Sequence, residues 1–149
     1  MIIELLALTE ENLEPCFKLR VTSDQTQYIA SNEASWKTAK ENAEVARPFA
    51  IRCDGDTVGF AMFAFDEAYE DPNDRYWLWR FMIDERFQGK GCGSAALREI
   101  IRYFREHGAN NIRLSTKGTN SRALSLYRRV GFRETGEMNG DEIVLQLDL

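Results

Sequence analysis

Histidine occurs once in these 149 residues, and cysteine and proline three times each. The single imidazole, His107, cannot build a metal cluster. Cys16, Cys53 and Cys92 are odd in number and widely spaced, which fits neither a disulfide framework nor a zinc site. No apolar run approaches the ~20 residues that a membrane span requires. The opening "MIIELLALTEENLE" lacks a basic stretch and carries Glu4 within its apolar run, so it reads as a first strand and not a secretion signal. Repeats, linkers and low-complexity tracts are missing as well. These absences leave one globular domain over residues 1–149, cytoplasmic, without metal and without a membrane partner.

Hydrophobic residues make up 44% and charged residues 29%, the balance of a folded chain and not of a disordered one. The net charge of −5 hides an asymmetry: residues 1–75 carry 7 Lys+Arg against 15 Asp+Glu, and residues 76–149 carry 12 against 9. An acidic half and a basic half suit one cationic and one anionic partner, although solvated surface charge would look the same. An acidic chain argues against nucleic acid as the main ligand.

Hydrophobic periodicity and turn residues predict the order β-α-α-β-β-β-α-β-α-β-β. "IIELLAL" is the first strand, and Thr9 is placed to cap a helix running to about Arg20. A second helix covers "EASWKTAKENAE". "RPFAIRC" and "TVGFAMFAF" are strands joined by Asp54-Gly55, a hairpin signal. A polar loop, Asp66 to Asp74, precedes the strand "RYWLWRFMID". Leu97, Ile100, Ile101 and Phe104 form the apolar stripe of a helix ending near Gly108, where His107 suits the negative end of the helix dipole. "NIRLST" is a strand. "SRALSLYRRV" is a helix with Ala123, Leu126, Tyr127 and Val130 on one face and Gly131 as its cap. "FRETGEM" and "EIVLQLDL" are strands turned by Asn139-Gly140. The fold class is α/β, a mixed central sheet with helices on both faces in three layers.

The stretch "RFQGKGCGSAAL", Arg86 to Leu97, concentrates three glycines and a lysine before a helix. Backbone N–H groups offered by a glycine-rich turn at a helix N-terminus form an anion site. Gly89, Gly91 and Gly93 allow close approach to phosphate oxygens, and Lys90 adds a cation. A P-loop would require lysine between Gly93 and Ser94. The run Gly91-Cys92-Gly93-Ser94-Ala95-Ala96 matches G-x-G-x-x-A, but a dinucleotide fold needs an acidic residue after the next strand, and "NIRLST" leads into Lys117. A tight turn with no ligand is the plain alternative.

Gln88-x-x-Gly91-x-Gly93 after a strand resembles the acetyl-CoA pyrophosphate loop of the GNAT superfamily of N-acyltransferases. Asn120-x-x-Ala123-x-x-x-Tyr127-x-x-x-Gly131-Phe132 resembles that superfamily's second signature. The two occur in order with matching strands between them, and the stretches "WLWRFMIDERFQGKG" and "NSRALSLYRRVGF" are similar to the spermine/spermidine (diamine) acetyltransferases. The resemblance implies a GNAT fold and transfer of acetyl from acetyl-CoA to a primary amine by direct attack in a ternary complex. It implies that the backbone of Phe81, Met82 and Ile83 pairs with the pantetheine arm where the sheet splays. Gln88, Gly89, Lys90, Gly91, Cys92, Gly93 and Ser94 would hold the pyrophosphate, with Asn120 and Arg122 also contacting the cofactor. Tyr127 would protonate the departing thiolate; a packed core aromatic is the alternative. Cys92 is expected to pack beneath the loop, since a nucleophilic thiol needs a nearby base.

Relatives that acetylate polyamines often carry a carboxylate where this chain has Trp79, so the general base is sought elsewhere. Glu33, Asp66 and Glu67 are the candidates for proton acceptor and amine binding, with Glu67 favoured as base because it follows the strand beside the cofactor strand. Asp66, Glu67, Glu70, Asp71 and Asp74 lie in one loop, which suits a small cationic amine such as spermidine or spermine. A protein N-terminus as acceptor, or a non-catalytic acyl-CoA-binding module, remain alternatives, and the resemblance allows a homodimer.

Overall fold

Asp54 and Gly55 both adopt positive φ, 50° and 89°, the backbone of a type I′ turn whose twist matches the strands it joins. The computed structural model describes residues 1–149. Its elements are β1 (Ile3–Ala7), α1 (Leu13–Phe17), α2 (Asn32–Glu41), β2 (Ala46–Cys53), β3 (Asp56–Phe65), β4 (Tyr76–Ile83), α3 (Cys92–Glu106), β5 (Asn111–Thr116), α4 (Ser121–Val130), β6 (Arg133–Asn139) and β7 (Glu142–Asp148). The order is the predicted one. The strands form one seven-stranded sheet, β1-β2-β3-β4-β5-β7-β6. Every neighbouring pair is antiparallel except β4 and β5.

Helices cover both faces. The unbroken apolar run of β3 follows from this, because a strand buried on both faces has no polar side. Phe60 and Met62 pack with Cys16, Leu19 and Ala39 beneath α1 and α2. Ala61, Phe63 and Phe65 pack on the other face against the predicted stripe of α3, Leu97, Ile100, Ile101 and Phe104. The Phe63 and Phe104 rings lie 4.8 Å apart between centroids.

Two expectations are corrected. The first helix begins at Leu13 and not at Thr9. Pro15 lacks an N–H, so a helix starting four residues earlier would lose an interior hydrogen bond there, whereas in the first turn that N–H is not needed. Asn12 closes the preceding turn instead, accepting from the Thr9 N–H at 2.7 Å and donating to the Ala7 carbonyl at 3.1 Å. The β6–β7 turn is centred on Gly140-Asp141, since Asn139 still pairs with Glu142; only Gly140 has positive φ, 61°, as a II′ turn requires. The predicted face of α4 holds: Ala123, Leu126 and Val130 pack against the core beside Tyr127, with Leu124 buried as well. Ala123 and Leu126 are half-buried because they wall a cleft.

The sheet's weakest seam is also its most braced. Strands β4 and β5 pair at one position, Trp77 opposite Arg113. Arg113 is buried there and bonds Gln146 Oε1 at 2.7 Å, Asp74 Oδ1 at 3.1 Å and Glu137 Oε2 at 2.8 Å. One guanidinium thus ties β5 to β7, to β6 and to the turn that enters β4. Arg113→Met should lower stability by about 2 kcal/mol, because it strands the Gln146 amide and two carboxylates, or roughly 4–8 °C in Tm for a chain of this size. Glu137→Gln, at the exposed end of the network, should cost less than about 1 kcal/mol. Urea titration of both variants checks the order; equal costs would remove Arg113 from this role.

Candidate active site

Past Trp77 the two parallel strands part, leaving the β5-facing edge of β4 without a strand partner. The register of β3 against β4 also slips between Met62 and Phe63, so that Trp79 is an extra residue between Leu78 and Arg80. Such a bulge re-aims the side chains beside it. The result is a cleft of about 1170 Å³ running between β4 and β5 and bounded by α2, α3 and α4.

At one mouth lies the glycine turn. Asp84, 2% exposed, anchors it: one carboxylate oxygen accepts from the Arg20 N–H at 2.9 Å and the other from the N–H and Nε of Arg86 at 3.0 and 2.8 Å. Burial alone would raise this carboxyl, but those hydrogen bonds outweigh it and hold it below its ordinary value. Gly89 and Gly91 have φ of 74° and 88°, conformations a side chain would strain. Gly91 is the N-cap of α3, without a side-chain cap and with no acidic residue in the first turn. The N–H groups of Cys92, Gly93 and Ser94 therefore have no intrahelical acceptor and face outward.

Helix α4 brings its own N-terminus to the same mouth. Its N-cap Asn120 is buried and donates to Thr116 Oγ1 at 3.3 Å, while its Oδ1 is buried without a partner. Arg122 bonds the Gln88 side-chain oxygen, and Gln88 donates to the Ile83 carbonyl at 2.8 Å. That chain links α4, the glycine turn and the end of β4. Tyr127, nearly buried, lines the cleft, and burial alone pushes its phenol above the ordinary range, with no hydrogen bond to oppose the shift.

The cleft brings together Phe81, Met82, Ile83, Gln88, Gly89 and Gly91 with Gly93, Ser94, Asn120, Arg122 and Tyr127. Asp66 also lines it. Lys90 and Cys92 do not: the Lys90 ammonium lies 5.9 Å over the Phe87 ring, and Cys92 is buried beneath the turn. Glu33 and Glu67 also stand outside the cleft lining. Glu33 is exposed on the first turn of α2, and Glu67 is an exposed residue meeting the Tyr76 hydroxyl at 3.5 Å. The acidic loop is mostly engaged in structure: Asp71 caps a turn through the Asn73 N–H at 2.9 Å, and Asp74 pairs with Arg113. His107 ends α3, with Nδ1 2.8 Å from the Tyr103 carbonyl oxygen.

Apart from Trp79, sequence reasoning passed over the wall facing α2. Trp77, Trp79 and Arg80 of β4 line it together with Asn32 and Ser35. Ser35 Oγ and Arg80 Nε are buried without hydrogen-bond partners. Burial lowers the Arg80 guanidinium from its ordinary value, with Glu142 opposing. An arginine inside an otherwise apolar strand was the available signal for Arg80; Ser35 had none, because a serine on a polar helix is unremarked.

Residues 6–132 match the family model described as acetyltransferase (GNAT) family. The chain is 36% identical to a spermine/spermidine N(1)-acetyltransferase of Bacillus subtilis, over 98% of this chain and 99% of that one. It is 29% identical to the N-alpha-acetyltransferase RimI of Mycobacterium tuberculosis, over 87% and 78% of the two chains. A PaiA N-acetyltransferase of Thermoplasma acidophilum, solved in complex with coenzyme A, shares the fold at a TM-score of 0.72 and 20% identity, with both chains fully covered.

The glycines of the turn separate by conformation. A Cβ on Gly93 would meet Leu126 Cδ2 at 3.6 Å and Ile83 Cγ1 at 3.8 Å, ordinary contacts. Gly93→Ala should therefore keep or gain about 0.5–1 kcal/mol as a helical alanine, while Gly91→Ala should lose about 1–2 kcal/mol at its positive φ. Thermal unfolding without ligand reads both; a destabilised Gly93→Ala would mean that the fold itself needs that glycine.

Proposed function

The chain belongs to the GNAT family of acetyltransferases, and we propose that it transfers acetyl from acetyl-CoA to a primary amine of a polyamine, with Tyr127 as the acid for the departing thiolate. The observation that carries this reading is the convergence on one cleft of the uncapped start of α3, the unpartnered Asn120 Oδ1 and the Tyr127 phenol. Those groups fit the donor chemically. Outward N–H groups and Arg122 suit a pyrophosphate. The open edge of β4 at Phe81–Ile83 suits an extended amide arm that adds as a strand, and a buried carboxamide oxygen needs a donor. When bound, acetyl-CoA supplies an activated thioester for direct attack by the amine in a ternary complex.

The chain's residues then orient the donor and manage protons. The backbone of the turn from Gly89 to Ser94, with Arg122, would hold the anionic end, and the open edge of β4 would align the arm toward Tyr127. The phenol stays protonated through the working pH range because burial disfavours its anion. It therefore carries the proton that an acid for the thiolate requires, and the same burial makes it a weaker acid than a free phenol. Trp79 supplies no base, so the amine loses its proton to water or to Asp66, the cleft carboxylate whose only hydrogen bond is from the Ala68 N–H at 3.1 Å. This replaces Glu67 as the favoured candidate.

The polyamine acceptor rests on the full-length similarity to a spermine/spermidine acetyltransferase and on Asp66. One observation favours a protein N-terminus as second reading. Ser35 Oγ and Arg80 Nε lack partners; a peptide carbonyl would satisfy Arg80, and a polyamine has no carbonyl to offer.

Tyr127→Phe should lower kcat by about 10²–10⁴ with little change in acetyl-CoA affinity. For the wild type, kcat/KM should climb with pH as the amine deprotonates and show no alkaline fall up to about pH 10. A few-fold effect of the substitution, or an alkaline limb near neutrality, would return Tyr127 to core packing. Across an amine panel, the KM for spermidine should rise with salt more than that for a monoamine, and Asp66→Asn should raise it several-fold only at low salt. Salt-insensitive, equal values, with turnover of a peptide N-terminus, would move the acceptor to the second reading.

A further inference from the structure

Cys53 and Cys92 are distant in sequence, yet their sulfurs lie 3.7 Å apart in the core, while Cys16 packs in the cluster on the other face of the sheet. Cys53 is the last residue of β2, held in two ladders by Ile3 and Asp56. Cys92 is the first residue of α3, next to the positive-φ Gly91. We propose that the two thiols form a reversible disulfide under a peroxide, and that its closure weakens the anion site at the start of α3.

A disulfide needs its sulfurs at ~2.05 Å, so the pair must close by roughly 1.6 Å. Cys53 is fixed on both sides by strand pairing, and Cys92 follows a glycine turn, so the start of α3 is the part that yields. Its displacement draws the N–H groups of Cys92 and Gly93 toward β2 and away from the cleft. The chemistry balances without a further reactant. One thiolate attacks a peroxide oxygen, the O–O bond breaks, and a sulfenic acid and hydroxide result; the hydroxide takes up the thiol's proton as water. The second thiol attacks that sulfur, the S–S bond forms, the S–O bond breaks, and water leaves with the remaining proton. The two thiols give up two electrons and two protons, and the peroxide becomes two waters. A dithiol reverses the bond by exchange.

At neutral pH the Cys53 thiol stays protonated. Burial, then the Cys92 thiol, push the Cys53 thiol up to about 11. Among the charged groups facing it, Asp54, whose Oδ2 is 3.8 Å from the sulfur, adds to the rise, and the Met1 ammonium opposes it. The oxidation should therefore be slow near pH 7 and quicken as pH rises.

The pairing goes beyond the acetyltransferase reading, and its primary readout does not depend on it. Folded protein treated with hydrogen peroxide should lose about 2 Da and keep one alkylatable thiol of its three after denaturation. Its Kd for acetyl-CoA should rise about five-fold or more, and dithiothreitol should restore both. Acetyl-CoA is the probe because the free thiol of CoA would itself reduce the bond. Cys53→Ala should bind acetyl-CoA as the reduced wild type does and show neither effect, and Cys16→Ala should behave as wild type. Three free thiols after oxidation, a mass loss that survives Cys53→Ala, or a closed disulfide with unchanged affinity would each overturn the proposal. Failure of the reduced protein to bind acetyl-CoA would instead sink the cofactor assignment, leaving mass and thiol count to decide the pairing.

Discussion

Parallel strands that twist apart forfeit ladder hydrogen bonds, and β4 and β5 keep only the position where Trp77 faces Arg113. Without compensation such a seam would let the sheet divide into two. Arg113 supplies it by satisfying Gln146, Asp74 and Glu137 at once. Its own desolvation is offset only because both carboxylates and the amide are present together. Asn73 extends the brace, accepting at its carbonyl from Asn111 at 3.1 Å and at its side chain from Gln146 at 3.2 Å. With the closed end secured this way, the other end can stay open, and the cleft, its exposed β4 edge and the approach of α4 follow from that divergence.

The two helices that meet the open end share a defect that α2 does not have. Ser31 caps α2 by accepting from the Ala34 N–H at 3.1 Å. Gly91 and Asn120 begin α3 and α4 with no side-chain cap, a deficit of about 1 kcal/mol for α4 and a few tenths for α3, where the cap position is glycine. Basic residues occupy the last turns of both helices, Arg105 in one and Arg128 and Arg129 in the other, so each dipole is complemented at its far end and bare at the cleft. Two uncapped positive ends converging on one cavity amount to an anion site held in readiness, and their cost is tolerated where a ligand completes the caps.

Most of the fold was legible in the chain because its signals are local. Stripes at helical spacing, Asp54-Gly55 and the apolar run of β3 each specify one element, and the order of elements came out as predicted. The glycine turn was legible for the same reason, as was Cys92 beneath it. What escaped were consequences of distance. The first helix is the exception, a local miss, since Pro15 and the turn closed by Asn12 set its start within a few residues. The acidic loop looked like a surface for cations, but Asp71 and Asp74 are taken up by a cap and by Arg113 from a strand far along the chain. Ser35 and Arg80 became notable only when folding left their polar atoms without partners. Cys53 and Cys92 are free thiols, as their spacing suggested, and only folding shows that they are neighbours.

The charge asymmetry of the sequence reappears as polarity along the cleft, though with a smaller amplitude than composition suggests. At the mouth where β4 and β5 diverge, Arg122 joins the two helix N-termini, and that end favours an anion. At the braced end, Asp66, Asp74 and Glu137 line the cavity with Arg75 and Arg113. Three carboxylates against two guanidiniums leave an excess of about one negative charge there. One such charge near the surface steers a cation modestly and loses much of that pull at physiological salt. Arg80 lies between the ends, on the bulged strand, with Glu142 of the same lining opposing its charge. A cation is thus drawn weakly toward the carboxylate rim, while the middle of the cleft, where Arg80 and Glu142 offset each other, neither draws nor repels it strongly. Such a field would suit an amine that arrives at the rim as a cation and gives up its proton before it reacts.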